Sequence, residues 1–413
     1  MKICDIAQFY SPLSGGVKRY LMDKQRSLAA RPGAHHVLIV PSHRDAVTRS
    51  ATSTLHEVRS PRLIGSASYR LLISRKKILQ IVRAEQPDLI EVGDPYRTAW
   101  IGLEAGAELG VPVVAFYHSD FPRAIGRTVI RFAGETIQRM ISGPVQRYIV
   151  RLYNRMSATV VSTRRLEQIL DSCGIERLVH VPLGTDIHTF QPQASRERLR
   201  SELGLAPGTQ MLLFVGRIAR EKNIRSLVAA LDHIAKDAPS HHLVLVGDGE
   251  LREQIEREVT RRDNVTWLPY CESPQKLAEL YTAADLFVHP GRYETFGLVA
   301  LEAQACGTPV LVVREGGVED AVEGEHPPLI ARDGSPRGLG AAIEHFLRAG
   351  DTPERRAARR RRIERHFAVE RTFDRMLSLY EHLIARRPAA EFPAVPTAVT
   401  HHHEVPRPPV STR

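Results

Sequence analysis

The sequence has little of what marks several large protein classes. Its four cysteines, Cys4, Cys173, Cys271 and Cys306, lie far apart in 413 residues. No pair has the short spacing of a metal-ligand set, and a disulfide framework belongs to much shorter secreted chains. The expected compartment is reducing. No apolar run approaches the ~18 residues of a membrane span. The start, Met1-Lys2-Ile3-Cys4-Asp5, meets charge too early for a secretory signal, so a cytoplasmic location is expected. Aromatic residues are only 6% of the chain, and no DNA- or RNA-binding signature is found. No nucleic-acid partner is expected, although the net charge is +10. That excess favours other anions, such as nucleotide diphosphates or acidic lipid surfaces.

What is present is a repeated alternation. Short apolar runs at 2–9, 36–40, 89–92, 111–117, 158–162 and 179–182 are separated by amphipathic segments, among them 17–30, 68–84, 97–109 and one starting near Thr163. Buried strands alternating with helices predict a parallel sheet with crossover helices. The pattern pauses over the polar stretch 191–208 and restarts at 210–216, 242–246, 265–268, 286–289 and 310–313. The expected fold is α/β: two doubly wound, Rossmann-like domains, 1–190 and 191–365, facing a cleft at the carboxyl ends of their strands. The arginine-dense segment 355–365 reads as a solvated helix face. Phe373, Met376, Leu377 and Tyr380 recur at helical spacing, and a helix over 366–386 is expected to complete the first domain. Residues 387–413, rich in Pro and Ala, read as a disordered tail, and His401, His402 and His403 within it have no specific role.

Four segments at strand ends carry chemistry. Glu294-Thr295-Phe296-Gly297-Leu298 leads into a helix bearing Glu302. Eight residues at ~3.6 per turn would leave the two carboxylates about 80° apart. Free N–H groups over Thr295, Phe296, Gly297 and Leu298 would suit an anion, and the carboxylates would accept sugar hydroxyls. Arg217 and Lys222 follow the first strand of the second unit, where a rigid donor fork and a mobile ammonium suit a diphosphate. Gly15 and Gly16 open the first helix, where a bare backbone can approach phosphate. They do not form Gly-x-Gly-x-x-Gly, which argues against a dinucleotide oxidoreductase. His118 stands at the end of the run 111–117, facing the expected cleft.

Together these segments resemble glycosyltransferase family 4, retaining enzymes of the GT-B fold. The resemblance rests on Glu294-x7-Glu302, on Asp285 to Pro290 before it, and on Cys306-Gly307-Thr308-Pro309 after it. It extends to Gly216-Arg217-x4-Lys222, to Gly15-Gly16, and to Pro182-Leu183-Gly184-Thr185-Asp186 with Phe190 and Pro192. In the last, Leu183 and Thr185 depart from the usual residues. The resemblance implies that Glu294 contacts the transferred sugar and Glu302 the ribose. It implies that Arg217, Lys222 and the glycine loop face the diphosphate, and that His118 touches the sugar near its primary hydroxyl. His118-Ser119-Asp120-x-Pro122 is similar to lipid-glycosylating members, including mannosyl and sulfoquinovosyl lipid synthases.

The expected activity is transfer of a hexose from a UDP- or GDP-sugar to a hydroxyl acceptor with retention, giving an α-glycosidic bond. A glycolipid or lipid-linked acceptor is favoured; a soluble sugar or polysaccharide acceptor is the alternative, and a GT-B nucleotide-sugar epimerase a more distant one. No Asp-x-Asp pair occurs, so no metal and no other cofactor is expected. Leaving-group charge would be met by Arg217, Lys222 and helix N-termini. The segment from Arg123 to Arg155 interleaves arginines with aliphatic residues. Two readings fit it: a basic amphipathic helix on the inner face of an anionic membrane, or two ordinary helices packed on the domain.

Overall fold

The computed structural model describes residues 1–8, 10, 16–63, 69–118, 142–294, 296–324 and 328–386. They form two α/β units. The first sheet contains β1 (Lys2–Ile6), β2 (His35–Ser42), β3 (Ala46–Arg49), β4 (Ser53–Arg59), β5 (Leu89–Val92), β6 (Val113–Phe116), β7 (Ala158–Val161) and β8 (Leu178–His180). Its order is β3-β4-β2-β1-β5-β6-β7-β8, parallel except where β3 pairs with β4. The second contains β9 (Gln210–Val215), β10 (His241–Val246), β11 (Val265–Leu268), β12 (Leu286–His289), β13 (Val310–Val313) and β14 (Leu329–Ala331). Its order is β11-β10-β9-β12-β13-β14, parallel throughout.

Strand order reverses beside β1 and again beside β9. Connections therefore leave to opposite faces of each sheet, and a crevice opens at the carboxyl ends of its strands. Helices cover both faces of the second sheet, which explains its continuous apolar strands. Leu213, Val215, Phe287 and Val312 fill one core, while Leu212, Phe214, Leu286 and Leu311 fill the other.

Two short parallel contacts tie the chain where it passes between the units. The Thr185 N–H donates to the Phe367 carbonyl at 2.8 Å, and the Val369 N–H donates to the Thr185 carbonyl at 3.0 Å. Helix Val369–Ala385 then lies on the first sheet, where Phe373, Met376, Leu377 and Tyr380 pack with Ile3, Leu28, Phe116 and Val160.

The structure corrects several expectations. The helix expected over 68–84 begins only at Arg75. The backbone before it is extended because its groups find other partners: the Leu71 N–H donates to Pro61 and the Leu72 N–H to the Gln8 side chain. The edge strands β3 and β14, and β4 beside β3, were not expected, since β3 is mostly exposed and β14 has three residues. The polar stretch 191–208 contains helix Arg196–Glu202, whose Arg196 and Arg200 clasp Asp285. The arginine-dense helix Pro353–His366 is not simply a solvated face. Arg359 donates to the Gly307 carbonyl, Arg360 to the Ile187 and Ala305 carbonyls, and Arg362 to the Ala321 carbonyl. Guanidinium groups here satisfy helix-end and loop carbonyls of the second domain. Residues 387–413 lie outside the described residues.

Candidate active site

The loops after β9 and β12, the strands flanking the reversal in the second sheet, meet over the crevice. The first turns through a short 3-10 helix, Arg220–Lys222, and ends at Asn223 in the left-handed region with φ 57°. The Asn223 amide holds the loop down by donating to the Pro290 and Gly334 carbonyls at 3.2 and 2.7 Å. Lys222 is thereby aimed at the second loop, where its ammonium donates to the Glu294 carboxylate. His289, the last residue of β12, places Nε2 3.6 Å from the same carboxylate. Burial by itself would raise the Glu294 pKa, but Lys222 and then His289 outweigh it and hold the carboxyl well below its usual range. Glu294 is thus an anion whose side chain remains 25% exposed to the crevice. Arg217 is brought less close: its guanidinium is 67% exposed and pairs with Glu221.

Glu294 is not helical. Helix Leu298–Ala305 begins four residues later, after Gly297 in the left-handed region at φ 82°. A Cβ at Gly297 would lie 2.8 Å from Val318, so both conformation and space require glycine there. The 80° phase relation with Glu302 consequently does not apply, and the two carboxylates face different partners. Glu302 is buried and accepts from Tyr281 at 2.9 Å and from Arg19 of helix Gly16–Ala29 in the first domain. This ion pair joins the two domains across the crevice. Phe296 contributes no open side chain; it is buried, with its ring 6.4 Å from that of Phe367. Leu298 is the first helical residue. Gly16 opens its helix with no atom within 4 Å of a would-be Cβ. Gly15 and Thr295 lie outside the described residues.

His118 follows β6 on the first domain. Its ring stacks on Phe116 with centroids 4.2 Å apart and meets Tyr20 edge-on at 5.0 Å. Gly93 makes room for it, since a Cβ there would stand 2.9 Å from the His118 ring. Burial, and then the charge of Lys24, push the His118 pKa down to about 3. The imidazole is therefore neutral across the physiological range and suited to hydrogen bonding rather than to carrying charge.

Beneath it, helix Gly16–Ala29 is anchored by a second charged group. The fully buried Lys24 ammonium lies 2.8 Å from both Asp5 and Glu91. His36 reaches Asp5 at 2.7 Å, Tyr20 donates to Glu91 at 2.9 Å, and Tyr380 of the terminal helix also donates to Glu91. Burial and the neighbouring Asp5 raise the Glu91 pKa to about 7, against the opposing pull of Lys24.

Sequence reading missed Arg19, Tyr281, Asn223 and His289. His289 was legible in principle, as a polar residue ending an apolar strand immediately before the motif. Arg19 and Tyr281 give no such signal, because tertiary packing alone brings them to Glu302. Among the described residues no group of three or more His, Cys, Asp or Glu side chains is arranged to hold a metal. Nor is any described helix long and apolar enough to cross a membrane.

Comparison with known proteins identifies the family. The family model "Glycosyltransferase Family 4" matches residues 14–189, and that of "Glycosyl transferases group 1" matches residues 195–363. The chain is 27% identical over 361 residues to a GDP-mannose-dependent alpha-(1-6)-phosphatidylinositol dimannoside mannosyltransferase of Mycobacterium tuberculosis, covering 87% of this chain and 91% of that protein. It is 29% identical over 404 residues to a GDP-mannose-dependent alpha-mannosyltransferase of Mycolicibacterium smegmatis, covering 94% and 99%. Among solved structures, sucrose-phosphate synthase of Thermosynechococcus elongatus superposes with a TM-score of 0.75 at 24% identity, covering 93% of this chain and 100% of that one. HepE of Anabaena, solved with UDP, gives 0.71 at 20% identity, covering 92% and 100%. These last two likenesses concern the fold, which is GT-B.

Proposed function

The chain belongs to glycosyltransferase family 4 and is a nucleotide-sugar glycosyltransferase, and on that premise we propose that it is a retaining, α-bond-forming mannosyltransferase using GDP-mannose and a lipid-linked acceptor. The observation that carries the site assignment is the contact between Lys222 and Glu294 at the crevice of the second domain. In a nucleotide sugar the diphosphate and the hexose are adjacent groups. A cation for one and a carboxylate for the other must therefore be neighbours, as these are.

In this reading Lys222, with Arg217 and the N–H groups from Thr295 to Leu298, takes the diphosphate. Gly15 and Gly16 are assigned to the same diphosphate. Glu294 holds the sugar hydroxyls, Glu302 the ribose, and neutral His118 the sugar's far edge. Charge on the departing diphosphate is met by Lys222 and backbone donors, so no metal is required. The departing phosphate oxygen takes the acceptor proton on the same face of an oxocarbenium-like sugar. GDP-mannose, rather than a UDP-sugar, is favoured by the two GDP-mannose-dependent relatives above. The lipid-linked acceptor is favoured by the phosphatidylinositol dimannoside named for one of them.

Peripheral attachment to an anionic membrane is part of the same reading, with a revised surface. Of the segment from Arg123 to Arg155, residues 119–141 lie outside the described residues, and 142–153 form a helix. Its Ile149, Leu152 and Tyr153 are packed into the first core, so they are not available to lipid. The outer face carries Arg147, Tyr148 and Arg151, and that basic and aromatic face is the one proposed to meet the membrane.

A thermal-shift comparison of GDP-mannose and UDP-glucose tests the donor, because a true donor stabilises by mass action. GDP-mannose should raise Tm and UDP-glucose should not; the reverse would reassign the donor. The anomeric configuration of the first-formed product, read by NMR, tests retention.

A further inference from the structure

A cavity of about 570 Å³ lies where both domains meet the chain crossings, and neither Lys222, Glu294 nor Glu302 lines it. Its first-domain wall carries Arg164, after β7, and His180, at the end of β8. The opposite wall carries Arg362, and Arg375 of helix Val369–Ala385 closes one side. Among the described residues neither the Arg164 nor the Arg375 guanidinium has a hydrogen-bond or ion-pair partner, and His180 Nε2 is buried without one.

A larger hollow of about 800 Å³ on the second domain, where two of the three lining arginines are paired, gives a contrast. There Arg225 faces Glu258 at 3.3 Å and Arg262 faces Asp232 at 2.6 Å. In the cavity between the domains, Arg362 is fixed by donating to the Ala321 carbonyl at 2.7 Å and lies 5.3 Å from the Phe367 ring centroid. The carboxylate of Asp320 is engaged by the Arg164 backbone N–H at 2.6 Å, leaving the Arg164 side chain to the cavity. Glu323 stands at the exposed rim. The local field is cationic: besides slight burial, Arg365, Arg362, Arg371 and Arg375 all act to lower the His366 pKa.

The unpartnered guanidinium groups of Arg164 and Arg375, with the buried His180 Nε2 and the carbonyl-bound Arg362 beside them, line a cationic site whose donor forks match a tetrahedral oxyanion. We propose that this cavity binds a phosphate group, carried by a soluble phosphate ester or by a lipid head group, and bridges the two domains through it. Phe296, from the loop assigned to the donor, also lines the cavity, whereas Lys222, Glu294 and Glu302 do not, and the GDP titration below separates the two sites. Because its walls belong to different domains, an occupant favours the domain arrangement that brings them together.

The test is calorimetric titration of inorganic phosphate into the wild type and into the Arg164→Ala/Arg375→Ala variant. Both side chains are exposed and without partners, so the variant should keep its Tm. Each lost guanidinium should weaken phosphate binding about tenfold or more, and the Arg164→Lys/Arg375→Lys variant should recover part of it. Equal phosphate affinity in wild type and the alanine variant overturns the proposal. GDP is titrated into the same proteins. Unchanged GDP affinity supports a separate site, whereas a parallel fall would make the cavity part of the donor site and overturn the proposal. Competition then identifies the source. Displacement by glycerol phosphate marks a soluble ester, and displacement by phosphatidylcholine vesicles containing phosphatidylinositol marks a head group. Displacement by neither would leave an inorganic-ion site and contradict the proposal.

Discussion

Among the described residues, the lysine–carboxylate clusters around Lys24 and Lys222 have the same chemistry and opposite surroundings. Lys24 with Asp5 and Glu91 is wholly enclosed in the first domain, and two tyrosines and a histidine complete its hydrogen bonds. Lys222 with Glu294 stands at the crevice of the second domain, with side chains 20% and 25% exposed and the buried His289 behind them. Burial without open volume fixes position, since removing any member strands the others. Partial exposure at a strand reversal leaves both groups able to exchange one partner for another. The first cluster is therefore read as an anchor for helix Gly16–Ala29 and the terminal helix, and the second as the ligand site.

Breaking the enclosed cluster should have the largest effect. Lys24→Met leaves two buried carboxylates without their cation and should cost about 3–5 kcal/mol of stability, measured by urea unfolding. A loss below about 1 kcal/mol, the usual value of a surface pair, would show that water reaches the cluster. The crevice pair should respond in the opposite manner. Lys222→Ala should leave Tm nearly unchanged yet weaken GDP binding by about 1.5–3 kcal/mol, as befits one lost charge-assisted contact. Arg217→Ala should cost less, because that side chain is two-thirds exposed and already paired with Glu221. Calorimetry giving the reverse order would exchange their roles.

A further contrast is a slope with pH. His118 titrates near 6.5 when unfolded and is held at about 3 in the fold. Its contribution is therefore fully present above pH 6.5 and is lost as pH falls from about 6.5 through 3, because only the unfolded chain takes up the proton. Unfolding free energies measured across that window should fall less steeply for His118→Gln than for the wild type. Parallel slopes would mean that His118 is solvated.

These contrasts also show what a sequence can disclose. The two-domain plan was legible because fully buried parallel strands are apolar throughout, as in β12 and β13, where every residue is buried. Lys222 and Glu294 were legible as neighbours, which the fold brings into contact, because strand-end loops carry their chemistry in short, fixed spacings. The edge strands were not, since a half-exposed strand such as β3 has the composition of a loop. Nor was the enclosed cluster: Lys24 sits on a helix whose sequence looks surface-like, and only the fold brings Asp5, Glu91 and Tyr380 to it. The arginines of helix Pro353–His366 misled for the same reason, since their partners are backbone carbonyls, which a sequence does not display. Arg19 reaches Glu302 from 283 residues away.

The central claim is that the crevice holding Glu294 transfers a sugar, and acceptor-dependent transfer measures it directly. Wild-type protein incubated with GDP-mannose and a phosphatidylinositol mannoside should release GDP and form a product one hexose heavier by mass spectrometry. Glu294→Gln should bind GDP as the wild type does while losing about 10²–10³ in kcat, the usual consequence of removing one transition-state contact. Product formed by the variant at the wild-type rate would contradict the account.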